Sequence, residues 1–420
     1  MNRLFLILGL FLIGCSKDTE STLDISIPTE VSYRKNYHGN YNFNNITIDD
    51  FEKLESTFNR LPYLFNDVPY GPDWSDIPHD LTILDYNNDG NLDLVYSNSD
   101  YKSSFSGVAN RRFFKFFLGD SNGNLRLDVS NHEKFVGTIH ARKSIIGDWN
   151  GDGFMDMFFA SSGIDGQNGV QYTPNDYPIL FVNDKNGSFI EYRLNNEFNM
   201  FPGYWHSVTS SDIDGDGISE IVLIQPASNR DNESKIIQFN DNKLSIRNLQ
   251  LSLNDVIDKF TSESVDLNGD GIDELILGGS DVNPKILENH PAGSFVYNYQ
   301  SKEKIYLPTH RQDLLIDMVF YDLDNDGDLD IIASRTRNYS NGYIQVIRND
   351  ITEFVDVTTE YMPTNFTHTP GQTMSWVEWL YIGDFNGDGN IELHTSDIRK
   401  PNVSERNVWE FIDNKFVKIN

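Results

Sequence analysis

The chain has 420 residues, enough for two ordinary domains or one large repeat domain. Its 63 acidic residues against 33 basic ones leave a formal net charge of −30, which argues against nucleic acid as a partner. One cysteine excludes an intramolecular disulfide, and an aromatic content of 13% suits many short strands.

In chain order the first element is an address. Arg3 precedes the apolar run LFLILGLFLIG at 4–14, too short to span a bilayer but the right length for a signal-peptide core. The run ends in Leu12-Ile13-Gly14-Cys15, which resembles the lipobox of bacterial lipoproteins. The resemblance implies a signal peptide and lipobox over 1–15, with Cys15 lipidated. The protein would then sit at the bacterial outer membrane, facing periplasm or exterior, with its N-terminal lipid as its sole membrane contact. Residues 16–24 read as a polar tether. In 25–76, EVSYRKN and YNFNNITI have strand character and IDDFEKLESTFNRL helical character, so this segment is a divergent repeat unit or a cap.

From residue 77 a nine-residue acidic loop recurs six times, each time running into an apolar strand. Positions 1, 3, 5, 7 and 9 of loop 1 are Asp85, Asn87, Asp89, Asn91 and Asp93. Loop 2 has Asp148, Asn150, Asp152, Phe154 and Asp156; loop 3 has Asp212, Asp214, Asp216, Ile218 and Glu220. Loop 4 has Asp266, Asn268, Asp270, Ile272 and Glu274; loop 5 has Asp322, Asp324, Asp326, Asp328 and Asp330; loop 6 has Asp384, Asn386, Asp388, Asn390 and Glu392. Position 6 is glycine throughout. Alternate residues of a tight loop converge, so positions 1, 3 and 5 offer side-chain oxygens to one ion. Position 7 offers its main-chain carbonyl, which leaves its side chain free to vary, and the position-9 carboxylate closes the cage. Oxygen-only ligands at six to eight places suit Ca²⁺, up to six ions in all, better than Mg²⁺, which demands a near-ideal octahedron and keeps its waters.

An EF-hand shares positions 1, 3, 5 and 6 but needs Glu at position 12 and flanking helices. Position 12 here is Tyr96, Phe159, Leu223, Leu277, Ala333 or Thr395, and the residues after each loop read as short strands. The first Asp residues are spaced by 63, 64, 54, 56 and 62, a period that fits four-stranded blades stacked around an axis. In the second unit, KSIIG, DMFFAS, YPILFVN and SFIEYRL read as strands A to D.

On these loops and spacings, residues 77–420 resemble the FG-GAP and VCBS repeats of integrin-α-like β-propellers. The resemblance implies an all-β chain: a β-propeller of four-stranded blades with calcium-binding A–B hairpin loops. Seven blades are expected, of which six are countable. It implies little about function, because such propellers serve adhesion, carbohydrate binding, scaffolding and lyase chemistry.

In the family resembled, strand A starts on the face opposite the calcium loops, beside the axis. Eight and six residues before each first Asp lie Ile77/His79, His140/Arg142, Tyr204/His206, Asp258/Phe260, Leu314/Ile316 and Trp376/Glu378. Strict alternation would put each pair on one side of its strand. The polar members His79, His140, Arg142, Tyr204, His206, Trp376 and Glu378 are candidates for binding a ligand, and they equally suit a polar axial channel that hydrogen-bonds itself. Trp205, one residue off this register, is expected to pack between blades. The leading expectation is a calcium-binding, lipid-anchored cell-envelope propeller that binds a glycan or an envelope protein. Alternatives are a polysaccharide lyase or other glycan-degrading enzyme, and a structural subunit of an outer-membrane assembly. No HExxH, GxSxG or Walker-type motif supports an enzyme.

Overall fold

A computed structural model describes residues 78–98, 111, 113–121, 125–132, 134–139, 141–163, 176–226, 233–240, 243–256, 258–280, 293–309, 314–337, 340–363, 379–384, 388–396 and 408–419. The expected signal peptide and tether, the 25–76 segment and any seventh blade it would supply lie outside these residues. Within them are six four-stranded antiparallel sheets, each ordered as in the chain. Blade 1 holds β1 (Pro78–Leu84), β2 (Asp93–Asn98), β3 (Phe114–Gly119) and β4 (Leu125–Leu127). Blade 2 holds β5 (Ala141–Gly147), β6 (Asp156–Ser161), β7 (Ile179–Asn183) and β8 (Phe189–Arg193). Blade 3 holds β9 (Ser207–Ser211), β10 (Glu220–Ile224), β11 (Lys235–Asn240) and β12 (Lys243–Asn248). Blade 4 holds β13 (Lys259–Val265), β14 (Glu274–Gly279), β15 (Phe295–Tyr297) and β16 (Lys304–Tyr306). Blade 5 holds β17 (Leu314–Tyr321), β18 (Asp330–Arg337), β19 (Ser340–Asn349) and β20 (Phe354–Asp356). Blade 6 holds β21 (Trp379–Gly383), β22 (Glu392–Ser396), β23 (Val408–Ile412) and β24 (Lys415–Lys418). The strands expected in the second unit are those observed. Among the described residues no helix is long and apolar enough to cross a membrane.

The second strand of each blade shows why the sheets stack. DMFFAS, EIVLI and ELILGG have no polar face, so both sides of the sheet must be covered. Period-2 alternation divides each run between two neighbours. Met157 and Phe159 join the layer between blades 1 and 2, whereas Phe158 and Ala160 join the layer between blades 2 and 3. Ile221 and Leu223 face blade 2, and Val222 and Ile224 face blade 4. Leu275 and Leu277 face blade 3, and Ile276 faces blade 5. Five such layers join the six sheets in succession. Trp205 is fully buried in the layer between blades 2 and 3, as its register suggests. The first strands of successive blades touch one another: β1 with β5, β5 with β9, β9 with β13, β13 with β17 and β17 with β21. Small hydroxyl side chains make this approach possible. Thr82 meets Ser144 at 2.7 Å, Ser207 meets Ser262 at 2.9 Å, and Ser211 meets Ser264 at 2.6 Å.

Candidate metal centres and the axial mouth

Each A–B loop is first a backbone device. The position-1 Asp accepts two amides, from positions 5 and 6, in all six loops. The position-5 carboxylate accepts the position-7 N–H in all six, at 2.8–3.2 Å. The position-6 glycines have φ from 85° to 100°, a conformation that side chains rarely adopt. Position 4 is left-handed too, as Asn88, Gly151, Gly215, Gly269 and Asn325. The preference there for Asn or Gly is a sequence signal that the ligand count alone overlooks.

Position 2 is a second missed signal. Tyr86, Trp149, Ile213, Leu267 and Leu323 are all buried, so loops 1 to 5 are plugged into the apolar layer beneath them. The Trp149 indole also donates to Ser210 Oγ of the next blade at 3.0 Å.

Position 9 is buried in every loop. Whether Asp or Glu, its carboxylate accepts the position-2 amide in loops 1, 3, 4 and 5, at 3.0–3.3 Å. Asp93 accepts from Tyr86 and Gly119, and Asp330 from Leu323 and Asn349, at 2.9–3.1 Å. Asp156 accepts from Asn183 at 2.9 Å. Its other oxygen lies near the Trp149 amide without a well-formed hydrogen bond. Where it is Glu, the carboxylate also comes close to other loop side chains. Asp212, Asp214 and Glu220 bring ligand oxygens within 4.8 Å of one another, as do Asp384, Asp388 and Glu392. In loop 5 the corresponding cluster is Asp322, Asp324 and Asp326. In loop 4, Glu274 takes the Leu267 backbone amide and the side-chain amides of Asn268 and Asn298, each at 3.0 Å. Asn386 of loop 6 lies outside the described residues.

These carboxylates carry a large electrostatic strain. Burial first, and then neighbouring loop carboxylates, push Asp93, Glu220, Glu274 and Asp330 up to about 7 and Asp156 up to about 8. Asp328 also rises to about 7, through burial and then through Asp326 beside it. Asp328 Oδ1 is buried without a hydrogen-bond partner. The donor set is all oxygen, crowded and acceptor-only, which fits a hard divalent cation.

Neighbouring loops are joined by side chains at the ends of the third strands. Asn183 Nδ2 donates to the carbonyl of Tyr86 in loop 1 and to that of Met155 in loop 2, at 2.9 and 3.2 Å. Asn349 repeats this between Leu267 of loop 4 and Leu329 of loop 5, at 2.9 and 3.3 Å. Blade 1 has Gly119 at the equivalent place, where a Cβ would lie 1.9 Å from Leu92 O. Loops 3 and 4 are tied through Asp273, whose carboxylate accepts the Asp212 amide at 2.8 Å.

At the other end of strand A the alternation argument needs correction. The ladders of blades 1, 2, 4 and 5 slip by a residue between Pro78 and Leu81, Ala141 and Lys143, Lys259 and Thr261, and Leu315 and Asp317. Each slip falls at or beside the residue six before the loop, so that residue is an unpaired bulge and does not keep register with the one two before it. Arg142, Phe260 and Ile316 are these bulge residues. Arg142 and His206 nevertheless meet: Arg142 Nε donates to His206 Nε2 at 3.2 Å. His206 Nδ1 lies 2.7 Å from the Phe260 carbonyl, which can only accept. The two partners together assign the neutral tautomer with its proton on Nδ1. Tyr204 and Phe260 flank the imidazole at ring distances of 5.3 and 5.2 Å. Arg142 and His206 are each only 8% exposed, so three blades are stitched together by groups that turn inward. With its acceptor nitrogen occupied by a guanidinium, His206 is not set up as a base. Below them Lys143 reaches across blade 3 to blade 4 and donates to Glu263 Oε1 at 2.6 Å and Ser262 O at 2.7 Å. Both charges are almost wholly buried. His79 lies on β1, and His140, Trp376 and Glu378 lie outside the described residues.

The FG-GAP-like repeat family matches residues 148–223, 266–333 and 322–395, segments that contain loops 2 to 6. The chain is thus an FG-GAP-repeat protein with the blade architecture of a β-propeller. No curated protein matches it.

Proposed function

We propose that the chain is a calcium-stabilised propeller held at the cell envelope by a lipid on Cys15, where it binds a glycan or an envelope protein. The calcium part rests on one observation above all: buried, crowded carboxylates recur in the same register at the same end of every described blade. Such a rim repels itself until a divalent cation enters, and the buried Asp156 oxygen at position 9 has no hydrogen-bond partner. Residues at positions 1, 3, 5 and 9 would hold the ion, with the position-7 carbonyl. Its role is to cancel charge and fix the hairpins.

Ligand binding is the ordinary use of FG-GAP propellers. At the axial mouth the partly exposed rings of Tyr204 and Phe260 offer apolar faces for a sugar or a peptide. The test uses the soluble chain lacking residues 1–15. Thermal melts in calcium and in chelator are compared, and the calcium-loaded protein is screened on a glycan array, with Tyr204→Ala as the control. We expect a higher Tm with calcium and glycan signals that weaken in the variant. Equal melting temperatures would overturn the calcium reading. A signal unchanged in Tyr204→Ala would move the ligand elsewhere.

A further inference from the structure

The six loops are not equivalent, and loop 2 carries a cation of its own. Lys185 stands in the tight turn between β7 and β8, with φ of 63°. Its amide donates to Asn183 Oδ1 at 2.9 Å, and Asn183 is itself bonded to the loop-2 carbonyl of Met155. The turn is closed by Asp184, which accepts the amides of Asn186 and Ser188. This backbone aims the lysine back over its own blade's loop. Its ammonium lies 3.2 Å from Asp152 Oδ2, the position-5 carboxylate, and 5.8 Å from the ring centroid of Phe154 at position 7. Loop 2 also contains the buried Asp156 oxygen that lacks a well-formed hydrogen bond.

Loop 5 supplies the internal contrast. Two residues after Asn349, where blade 2 has Lys185 after Asn183, stands Ile351 with φ of 62°. The nearby Arg348 is engaged with Asp350 in its own turn. The most acidic loop therefore has an apolar residue where loop 2 has an ammonium.

We infer that Lys185 is a tethered counter-ion of loop 2, a specificity-determining residue that lowers this loop's affinity for a divalent cation below that of loop 5. The inference rests on the calcium reading of the loops. An ammonium beside a ligand carboxylate repels an incoming dication and must swing away before the ion is seated. Lys185 is 51% exposed, so solvent screens the effect, and about a threefold to tenfold change in affinity is expected.

The experiment counts bound ions by native mass spectrometry of the soluble chain across a Ca²⁺ titration. It compares wild type, Lys185→Gln, Lys185→Arg, Lys185→Gln with Asp152→Ala, and Lys418→Gln as a charge-matched control at the exposed edge of blade 6. In Lys185→Gln, one binding step should move to threefold to tenfold lower free calcium. That step should be lost in the double variant and should stay at the wild-type position in Lys185→Arg. Lys418→Gln should move no step by as much. Superimposable curves for wild type and Lys185→Gln, with ions bound in both, would overturn the role of Lys185 alone. An equal shift in Lys418→Gln would do the same. No bound ions in any variant would bring down the calcium reading and this inference together.

Discussion

The two ends of strand A handle charge in opposite ways. At the axial mouth, ionic groups meet partners from other blades: Lys143 meets Glu263, and Arg142 meets His206, which meets the Phe260 carbonyl. At the loop end, carboxylates face carboxylates, and backbone amides are their main relief. One end is complete as folded. The other is complete only when a cation, or protons, are added. Stability at the mouth should therefore ignore calcium, and stability at the rim should depend on it.

Acidity separates the two ends most strongly. Between about pH 4 and pH 7, the folded metal-free chain holds protons on its raised position-9 carboxyls that the unfolded chain has already released. Its stability should fall as pH rises through that window and level off above about pH 8. A carboxyl moved from about 4 to about 7 loses on the order of 4 kcal/mol, and several such groups exceed the margin of an ordinary domain. Saturating Ca²⁺ should flatten the profile. Thermal melts across this range, with and without chelator, check it; a metal-free profile already flat would erase the contrast.

At the mouth, Lys143→Met strands a buried carboxylate and should lose about 3–5 kcal/mol, whether or not calcium is present. Adding Glu263→Leu should restore most of it. Urea unfolding of the single and double variants is the measurement. Between these lies the staple joining adjacent loops. Asn349→Ala leaves the Leu267 and Leu329 carbonyls short of a donor and should cost about 1–3 kcal/mol. Faster amide exchange confined to the facing parts of blades 4 and 5 would locate the damage. The smallest effect is expected from Asp326→Ala. At a calcium concentration tenfold above Kd it should remove about 1.4 kcal/mol from one loop, and without metal it should cost less, because relieved repulsion offsets the lost Asp328 amide bond. A loss of equal size in chelator would assign Asp326 a role unrelated to the ion.

Much of this was legible in the sequence because it is local and periodic. The nine-residue loops, the glycine at position 6 and the apolar runs that follow each loop announce themselves within a few residues, and the blades follow from the period. The mouth was harder. A bulge at residue 142 is a slip of one residue, and nothing in ARKSIIG marks it. Alternation therefore linked positions that the ladder uncouples. Lys143 and Glu263 are 120 residues apart, and their meeting depends on small serines in β9 that leave the space open. The staples Asn183 and Asn349 read as ordinary turn residues, because their second partner belongs to another blade. Position 2 was visible as Tyr, Trp, Ile, Leu, Leu and Phe, an invariably large series whose meaning emerges once it is seen as a plug.

The alternation that shares each second strand between two apolar layers also governs how the molecule comes apart. Every described layer belongs to two sheets adjacent in sequence, so apolar cohesion is a sum of nearest-neighbour interfaces, with the Lys143–Glu263 pair as a longer tie between blades 2 and 4. A lesion in one sheet weakens two interfaces and leaves the remaining ones intact. Unravelling then proceeds as a front that advances sheet by sheet, and amide exchange should record it as a ladder of distinct opening energies in place of one cooperative value.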